Sequence, residues 1–137
     1  MQLNIHNFST LQDAINFAND QIDQAAGNAR AKYLTVAAGQ EATYLAKYQD
    51  ARAFKAANYL PVDGTGFYWV QAEAATLGVS PENAADGILT GGDLWNNVKG
   101  PQIEGLRIGG KAALGKLSSV QDVLSSAYTT KNSLTTF

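Results

Sequence analysis

The sequence predicts an all-α protein, a bundle of five or six helices preceded by an extended N-terminal arm. Apolar residues recur every three or four positions through most of the 137 residues, and serine or threonine caps precede several of these stretches. Alanine is the commonest residue and 13 are glycine, so small side chains let the helices pack closely. We expect an arm over residues 1–9, one helical domain over 10–128 and a loose tail over 129–137.

The arm alternates apolar Leu3 and Ile5 with polar neighbours, which is typical of a strand. No second convincing strand follows to pair with it. Three interpretations remain open: an arm lying over the helices, a strand added to a partner's sheet, or a mobile, lightly packed terminus.

The first two helices are predicted to pack as an antiparallel αα-hairpin over residues 10–58. The first begins at a capping box (Ser9 with Gln12, or Thr10 with Asp13) and reaches about Val36; the second covers 40–58. The predicted buried face of the first is Leu11, Ile15, Ala18, Ile22, Ala25 and Ala29, and that of the second is Tyr44, Leu45, Tyr48, Ala51 and Phe54. Lys47, Gln49, Asp50 and Lys55 are expected to face solvent.

A loop over 59–66 separates the hairpin from two further helices. The third is predicted over 67–77, with Gly78 as its left-handed cap, and Ser80-Pro81-Glu82 opens the fourth. Their expected buried residues are Phe67, Val70, Ala74 and Leu77 in the third, and Ala84, Ala85, Ile88, Trp95 and Val98 in the fourth.

Glycines interrupt the helical spacing from Gly91 to Gly115, and Gly100-Pro101 is predicted to end one helix and start the next. Two interpretations explain these glycines: close helix contacts at Gly105, Gly109 and Gly110, or a flexible segment. Ser119 and Asp122 predict the start of the last helix, and the threonine-rich end is expected to be loose.

Composition excludes several kinds of site. The net charge of −2 gives no broad basic surface for nucleic acid, no cysteine is present, and His6 is the single histidine. No apolar run of about 18 residues predicts a membrane span, and no basic-then-apolar start predicts a signal peptide. The spacing from Gly105 to Lys111 matches a phosphate loop but lacks the following hydroxyl and a preceding strand. We therefore expect no catalytic residue, metal or cofactor.

Aromatic residues cluster beside the 59–66 loop at Tyr59, Phe67, Tyr68 and Trp69. Phe67 and Trp69 lie two residues apart and so cannot share one helix face, which leaves one of them a candidate for exposure. The cluster either anchors a partner or caps the open end of the core. The partner-interface candidates are Leu3, Ile5, Phe8, Tyr59, Phe67, Tyr68, Trp69 and Phe137.

The block Tyr33-Leu34-Thr35-Val36-Ala37-Ala38-Gly39-Gln40-Glu41-Ala42-Thr43-Tyr44-Leu45-Ala46-Lys47-Tyr48-Gln49-Asp50-Ala51 resembles one in small tailed-bacteriophage proteins encoded near tail-fibre and baseplate genes. An aromatic-bearing Ala-Glu-Ala (residues 69–75), residues 77–80, Trp95, and Ile103-Glu104 with Arg107 and Lys111 follow in the same order. The resemblance covers roughly residues 14–130. It implies a helical virion component without known catalytic residues, although the glycines from 91 to 115 depart from the continuous helix of that family.

Together these observations predict a non-enzymatic structural protein of the phage tail that attaches a fibre or baseplate part by docking. Its expected partners are other virion proteins, in multiple copies within a symmetric assembly, with neither nucleic acid nor membrane. It would reside in the virion tail and, before assembly, in the host cytoplasm. The alternatives are a tail-fibre assembly chaperone absent from the particle, a capsid-associated or head-fibre protein and, least favoured, a small enzyme.

Overall fold

The computed structural model describes residues 8–34 and 39–137, and within them the predicted all-α class is confirmed. Six α-helices and no strand are present in these two ranges. The helices are α1 (Leu11–Arg30), α2 (Gln40–Ala56), α3 (Tyr68–Leu77), α4 (Pro81–Leu94), α5 (Gly100–Leu114) and α6 (Val120–Thr135), with a π-helical turn at Trp95–Lys99. The predicted arm, with Leu3 and Ile5, lies outside the described residues apart from its last two positions.

Contacts divide the described chain into two compact units rather than the single domain expected over 10–128. The terminal unit contains residues 8–34 and 99–137, and the central unit contains 39–98. The boundaries fall after Leu34 and within the π-helical turn, between Val98 and Lys99.

The two helices of the predicted αα-hairpin belong to different units, and each is covered by helices of its own unit. Helix α1 packs against α5 and α6, whereas α2 packs against α3 and α4. The alanine-rich face of α1, from Ala14 to Ala29, is buried against partners far along the chain. A short connection therefore did not determine which helices pair.

Local capping residues start the helices as predicted. Thr10, Ser80 and Ser119 each accept a hydrogen bond through the side-chain oxygen from the backbone N–H three residues later, at 3.0–3.1 Å. Gly78 closes α3 in the left-handed region, at φ 68°. Helix α1 ends at Arg30, earlier than expected, because the N–H groups of Lys32 and Tyr33 bond to carbonyls only three residues back.

Between Gly91 and Gly115 the chain stays helical. Helix α4 passes into the π-helical turn and then into α5, whose first turn contains Pro101, with no non-helical residue between them. Only one of the three glycines expected at a close contact has one: a Cβ on Gly110 would lie 2.5 Å from Thr130 Cγ2, whereas Gly105 and Gly109 face open space.

The last residues are helical, whereas a loose tail was expected over 129–137. Helix α6 continues past Tyr128 to Thr135, and Leu134 is fully buried. Lys32 donates hydrogen bonds to the backbone oxygens of Thr135 and Phe137. Burial of Leu134 supplies the apolar contact that makes these last turns part of the terminal unit.

Charged side chains join α1 to α5 in the terminal unit. Arg107 pairs with Asp23 at 3.1 Å and with Glu104 at 2.7 Å, while Arg30 pairs with Glu104 and Lys111 with Asp23. Hydrogen bonding to Lys111 is the main cause that lowers the pKa of Asp23. Because residues later in α1 meet residues earlier in α5, the two helices run antiparallel.

Candidate docking surface

The core of the central unit surrounds the fully buried ring of Phe54 on α2. Its buried members are Ala51, Phe54, Val70, Ala74, Ala84, Ala85 and Leu89, with Tyr48, Tyr59, Phe67 and Ile88 packed against them. Four of the seven buried members are alanines, so the larger aromatic rings supply much of the contact area of this core. This core positions the loop and α3, where the aromatic candidates lie.

Two of the candidate aromatics point into the core. The ring of Tyr59 meets that of Phe54 edge-on at 5.5 Å between centroids, and the ring of Phe67 lies 4.9 Å from it. The Tyr59 hydroxyl donates a hydrogen bond to Asp86 on α4 at 2.5 Å. This bond, with lesser contributions from desolvation and nearby negative charge, raises the pKa of Tyr59 to about 12.

Tyr59 keeps an uncommon backbone conformation. Asn58 and Tyr59 both lie in the left-handed region, at φ 58° and 56°, which costs a bulky residue of the Tyr type on the order of 1–3 kcal/mol. The contacts of its ring and hydroxyl with Phe54 and Asp86 offset this cost. The pair of residues ends α2 and turns the chain into the loop.

The two following aromatics are exposed. Tyr68 and Trp69 begin α3 and are 76% and 44% exposed, respectively, while Phe67 just before them is half-buried. Of the pair that could not share one face, Phe67 is therefore the inner residue and Trp69 the outer one. The loop adds exposed Leu60 and Val62. We call Leu60, Val62, Tyr68 and Trp69 the loop–helix surface.

A contact from α2 holds the start of α3. No side chain next to the helix start caps it; instead the Asp50 carboxylate accepts a hydrogen bond from the Val70 N–H at 2.9 Å. One turn earlier on α2, Lys47 pairs with Glu73 of α3 at 2.5 Å. Both residues were expected to face solvent, and helical periodicity gave no signal that α3 would cover them.

The loop has its own internal order. The Asp63 carboxylate accepts hydrogen bonds from the Thr65 N–H at 3.0 Å and from its hydroxyl at 2.6 Å. The hydroxyl bond is the main cause that lowers the pKa of Asp63. Gly64 has φ 73°, and a Cβ there would lie 3.1 Å from Gln71, so this position requires glycine. The loop is therefore an ordered support for the exposed side chains.

The remaining interface candidates lie in the terminal unit. Phe8 is half-buried with its ring 5.2 Å from that of Phe17, and Phe137 is half-buried with its ring 5.6 Å from the Lys99 ammonium. Leu3 and Ile5 lie outside the described residues. The structure thus brings Tyr59 and Phe67 together on Phe54 and places Tyr68 and Trp69 at the surface.

Several expected core positions are exposed instead. Leu45, Leu77 and Val98 were predicted to be buried, yet each is at least 41% exposed. Leu45 lies at the edge of its predicted apolar stripe, and Leu77 is the last residue of α3, beside Gly78. Val98 lies in the π-helical turn, whose period differs from that of an α-helix. Trp95, also expected in the core, is half-buried.

The described residues contain no group of three or more His, Cys, Asp or Glu side chains placed to hold a metal ion. None of the described helices combines the length and apolar character needed to cross a bilayer. Comparisons with protein-family models, with curated proteins and with solved structures find no match to this chain.

Proposed function

We propose that this chain is a non-enzymatic structural protein of a bacteriophage tail, which attaches a tail-fibre or baseplate component by docking. The exposure of Tyr68 and Trp69 at the start of α3 carries the docking part of the proposal. Aromatic side chains dominate the binding energy of protein interfaces, and an anchor whose position is already fixed loses less entropy on binding. The assignment to a phage tail rests on the resemblance of the sequence blocks between residues 14 and 130.

The central unit is the proposed docking unit. Eleven large apolar side chains are exposed in the described residues; nine belong to the central unit, and the other two are Ile108 and Tyr128. The charge of α3 is also compensated, because Glu73, the helix's one charged residue, pairs with Lys47. A surface of this kind favours an uncharged, apolar partner surface.

The expected partners are other virion proteins, contacted in multiple copies through the symmetry of the particle. The low charged fraction of 16% agrees with a surface that is partly covered by protein. The proposal includes no cofactor, nucleic acid or membrane, and it places the chain in the host cytoplasm only before assembly.

Mass spectrometry of purified particles of the phage that encodes the chain tests the structural assignment. We expect the chain in a fixed ratio to tail proteins and absent from tail-less heads. Its absence from complete particles would reject the structural role in favour of an assembly chaperone, and its recovery with heads alone would favour a head-fibre protein.

Substitutions at the surface test the docking assignment. We expect Trp69→Ala and Tyr68→Ala to lower incorporation into particles at least several-fold while helicity by circular dichroism stays unchanged. Tyr128→Ala is the matched control, since Tyr128 is a 52% exposed tyrosine of the terminal unit. Equal incorporation of all three variants would reject the loop–helix surface as the docking site.

A further inference from the structure

A cavity of about 280 Å³ lies between α1 and α6 within the terminal unit. One wall is a row of carboxamides on α1, Gln21, Gln24 and Asn28, whose spacing places them on one helix face. Its floor is apolar, made by the buried side chains Ala25, Ala29 and Leu134. An apolar floor with polar walls is the usual composition of a small-molecule site.

The charged side chains that line the cavity are positive. Lys32 and Lys131 line it, and no aspartate or glutamate does. Lys131 donates one hydrogen bond, to the Gln21 amide oxygen at 3.3 Å, and Lys32 is held by backbone oxygens of α6 and the chain end. On the α1–α5 side of the same unit, by contrast, each cation has a carboxylate partner at 3.1 Å or less. An anion in the cavity would give Lys131 the carboxylate partner that no described side chain supplies, and Lys32 would add a second positive charge beside it.

The carboxamides add a second requirement on the ligand. The side chains of Gln24 and Asn28 are exposed, and neither forms a hydrogen bond with another described residue, so both are open to a ligand. Each offers two N–H donors and one acceptor oxygen, a combination that suits hydroxyl groups, which both donate and accept. From Gln21 to Asn28 the wall extends about 10 Å at 1.5 Å per residue, more than a bare inorganic anion spans.

We propose that this cavity binds a small carboxylate that carries several hydroxyl groups, of the sugar-acid class. The carboxylate contacts the ammonium groups of Lys131 and Lys32, and the hydroxyls contact Gln24 and Asn28. The volume of about 280 Å³ lies just below the roughly 300–1,000 Å³ typical of ligand sites, so the ligand is one sugar ring rather than an oligosaccharide. The inference is independent of the docking role, because it concerns the terminal unit.

Nuclear magnetic resonance titration of the ¹⁵N-labelled full chain tests this site, with D-glucuronate, D-glucose, acetate and inorganic phosphate as probes. We expect glucuronate to shift amides of residues 21–32 and 131–135, with at least a tenfold lower dissociation constant than glucose or acetate. The absence of these shifts would overturn the proposal. Phosphate bound as tightly as glucuronate would overturn it as well, since it would make the cavity a general anion site.

Variants locate the binding within the cavity. Lys131→Met should weaken glucuronate binding at least tenfold, and Asn28→Ala should weaken glucuronate but not acetate. Lys116→Met is the control, because Lys116 is an exposed lysine of the same unit outside the cavity. Unchanged affinity in both cavity variants, or an equal loss in Lys116→Met, would overturn the assignment.

Discussion

The Asp50 carboxylate accepts a hydrogen bond from the backbone N–H of Val70 at 2.9 Å, across 20 residues of sequence. It thereby satisfies one of the donors that every helix leaves open at its start, and it places a negative charge at the positive end of α3. The exposed Tyr68 and Trp69 occupy the same helical turn. Helix α2 therefore controls the position of the proposed anchors without contributing to the surface itself.

Replacing Asp50 with alanine should loosen the start of α3. Loss of a helix cap costs about 1 kcal/mol, and we expect hydrogen exchange of the α3 amides to accelerate by the corresponding factor of about five. Asp50→Asn, which keeps an acceptor oxygen, should show a smaller effect.

Asp20→Ala is the matched control, since Asp20 is exposed on α1 and caps no helix. Equal protection of α3 in Asp50→Ala and in the unmodified chain would show that the Asp50 bond does not hold the helix.

Leu134 gives a direct test of the last turns of α6. Truncating a fully buried leucine to alanine costs about 2–5 kcal/mol, so Leu134→Ala should strongly reduce the free energy of unfolding of the terminal unit. Leu77→Ala, at a 64% exposed position, should change stability by less than about 1 kcal/mol. Hydrogen exchange of the amides in each unit, measured over a range of urea concentrations, gives both changes in the free energy of unfolding. Similar small effects would mean that residues 129–137 are loose, as their composition predicts.

Local chemistry made part of this fold predictable. Thr10, Ser80 and Ser119 bond to amides three residues away, and Gly78 adopts a backbone conformation suited to glycine, so neighbouring residues alone identify these helix ends. The same holds for the separation of Phe67 from Trp69, which follows from the period of the helix.

Long-range pairing could not be predicted in this way. The alanine-rich face of α1 indicates that the helix is buried on that side but does not identify its partners, which proved to be α5 and α6. Asp50 and Lys47 look like ordinary surface charges until α3 packs beside them. Residues such as Leu45 lie at the edge of an apolar stripe, where periodicity does not determine burial.

Alkaline titration should identify Tyr59. Its hydroxyl donates to Asp86, and its pKa is raised to about 12 from an ordinary value near 10. Because the folded chain holds this proton more tightly than the unfolded chain, the stabilisation is complete below pH 10 and is lost as the pH rises towards 12. Absorbance at 295 nm measures the ionisation of the six tyrosines.

Tyr59→Phe should remove the latest-titrating tyrosine and flatten the loss of stability between pH 10 and 12. Tyr48 should still titrate late, because its hydrogen bond to Asp93 also raises its pKa. Tyr128→Phe is the control, and an unchanged late phase in Tyr59→Phe would contradict the assignment.

Replacing either of two neighbouring glycines on α5 with alanine should change the stability of the terminal unit in opposite directions. Gly109 faces open space on α5, so Gly109→Ala should stabilise the terminal unit by up to about 1 kcal/mol through helix propensity alone. Gly110 is buried, and its added Cβ would lie 2.5 Å from Thr130 Cγ2 and 3.1 Å from Thr130 Cβ. The short, β-branched Thr130 has little freedom to move, so we expect Gly110→Ala to destabilise by about 1–3 kcal/mol.

The central unit repeats the test with Gly91 and Gly92 on α4. A Cβ on Gly92 would overlap the ring of Tyr48, which its hydroxyl bond to Asp93 restrains, whereas one on Gly91 meets nothing. In thermal unfolding, the midpoint temperature should therefore rise for Gly91→Ala and Gly109→Ala. It should fall for Gly92→Ala and Gly110→Ala. Equal shifts within each pair would mean that glycine acts only through helix propensity and that neither helix contact is close. Opposite shifts would show that Gly92 and Gly110 cannot accept a side chain because Tyr48 and Thr130 occupy the space of the added methyl group.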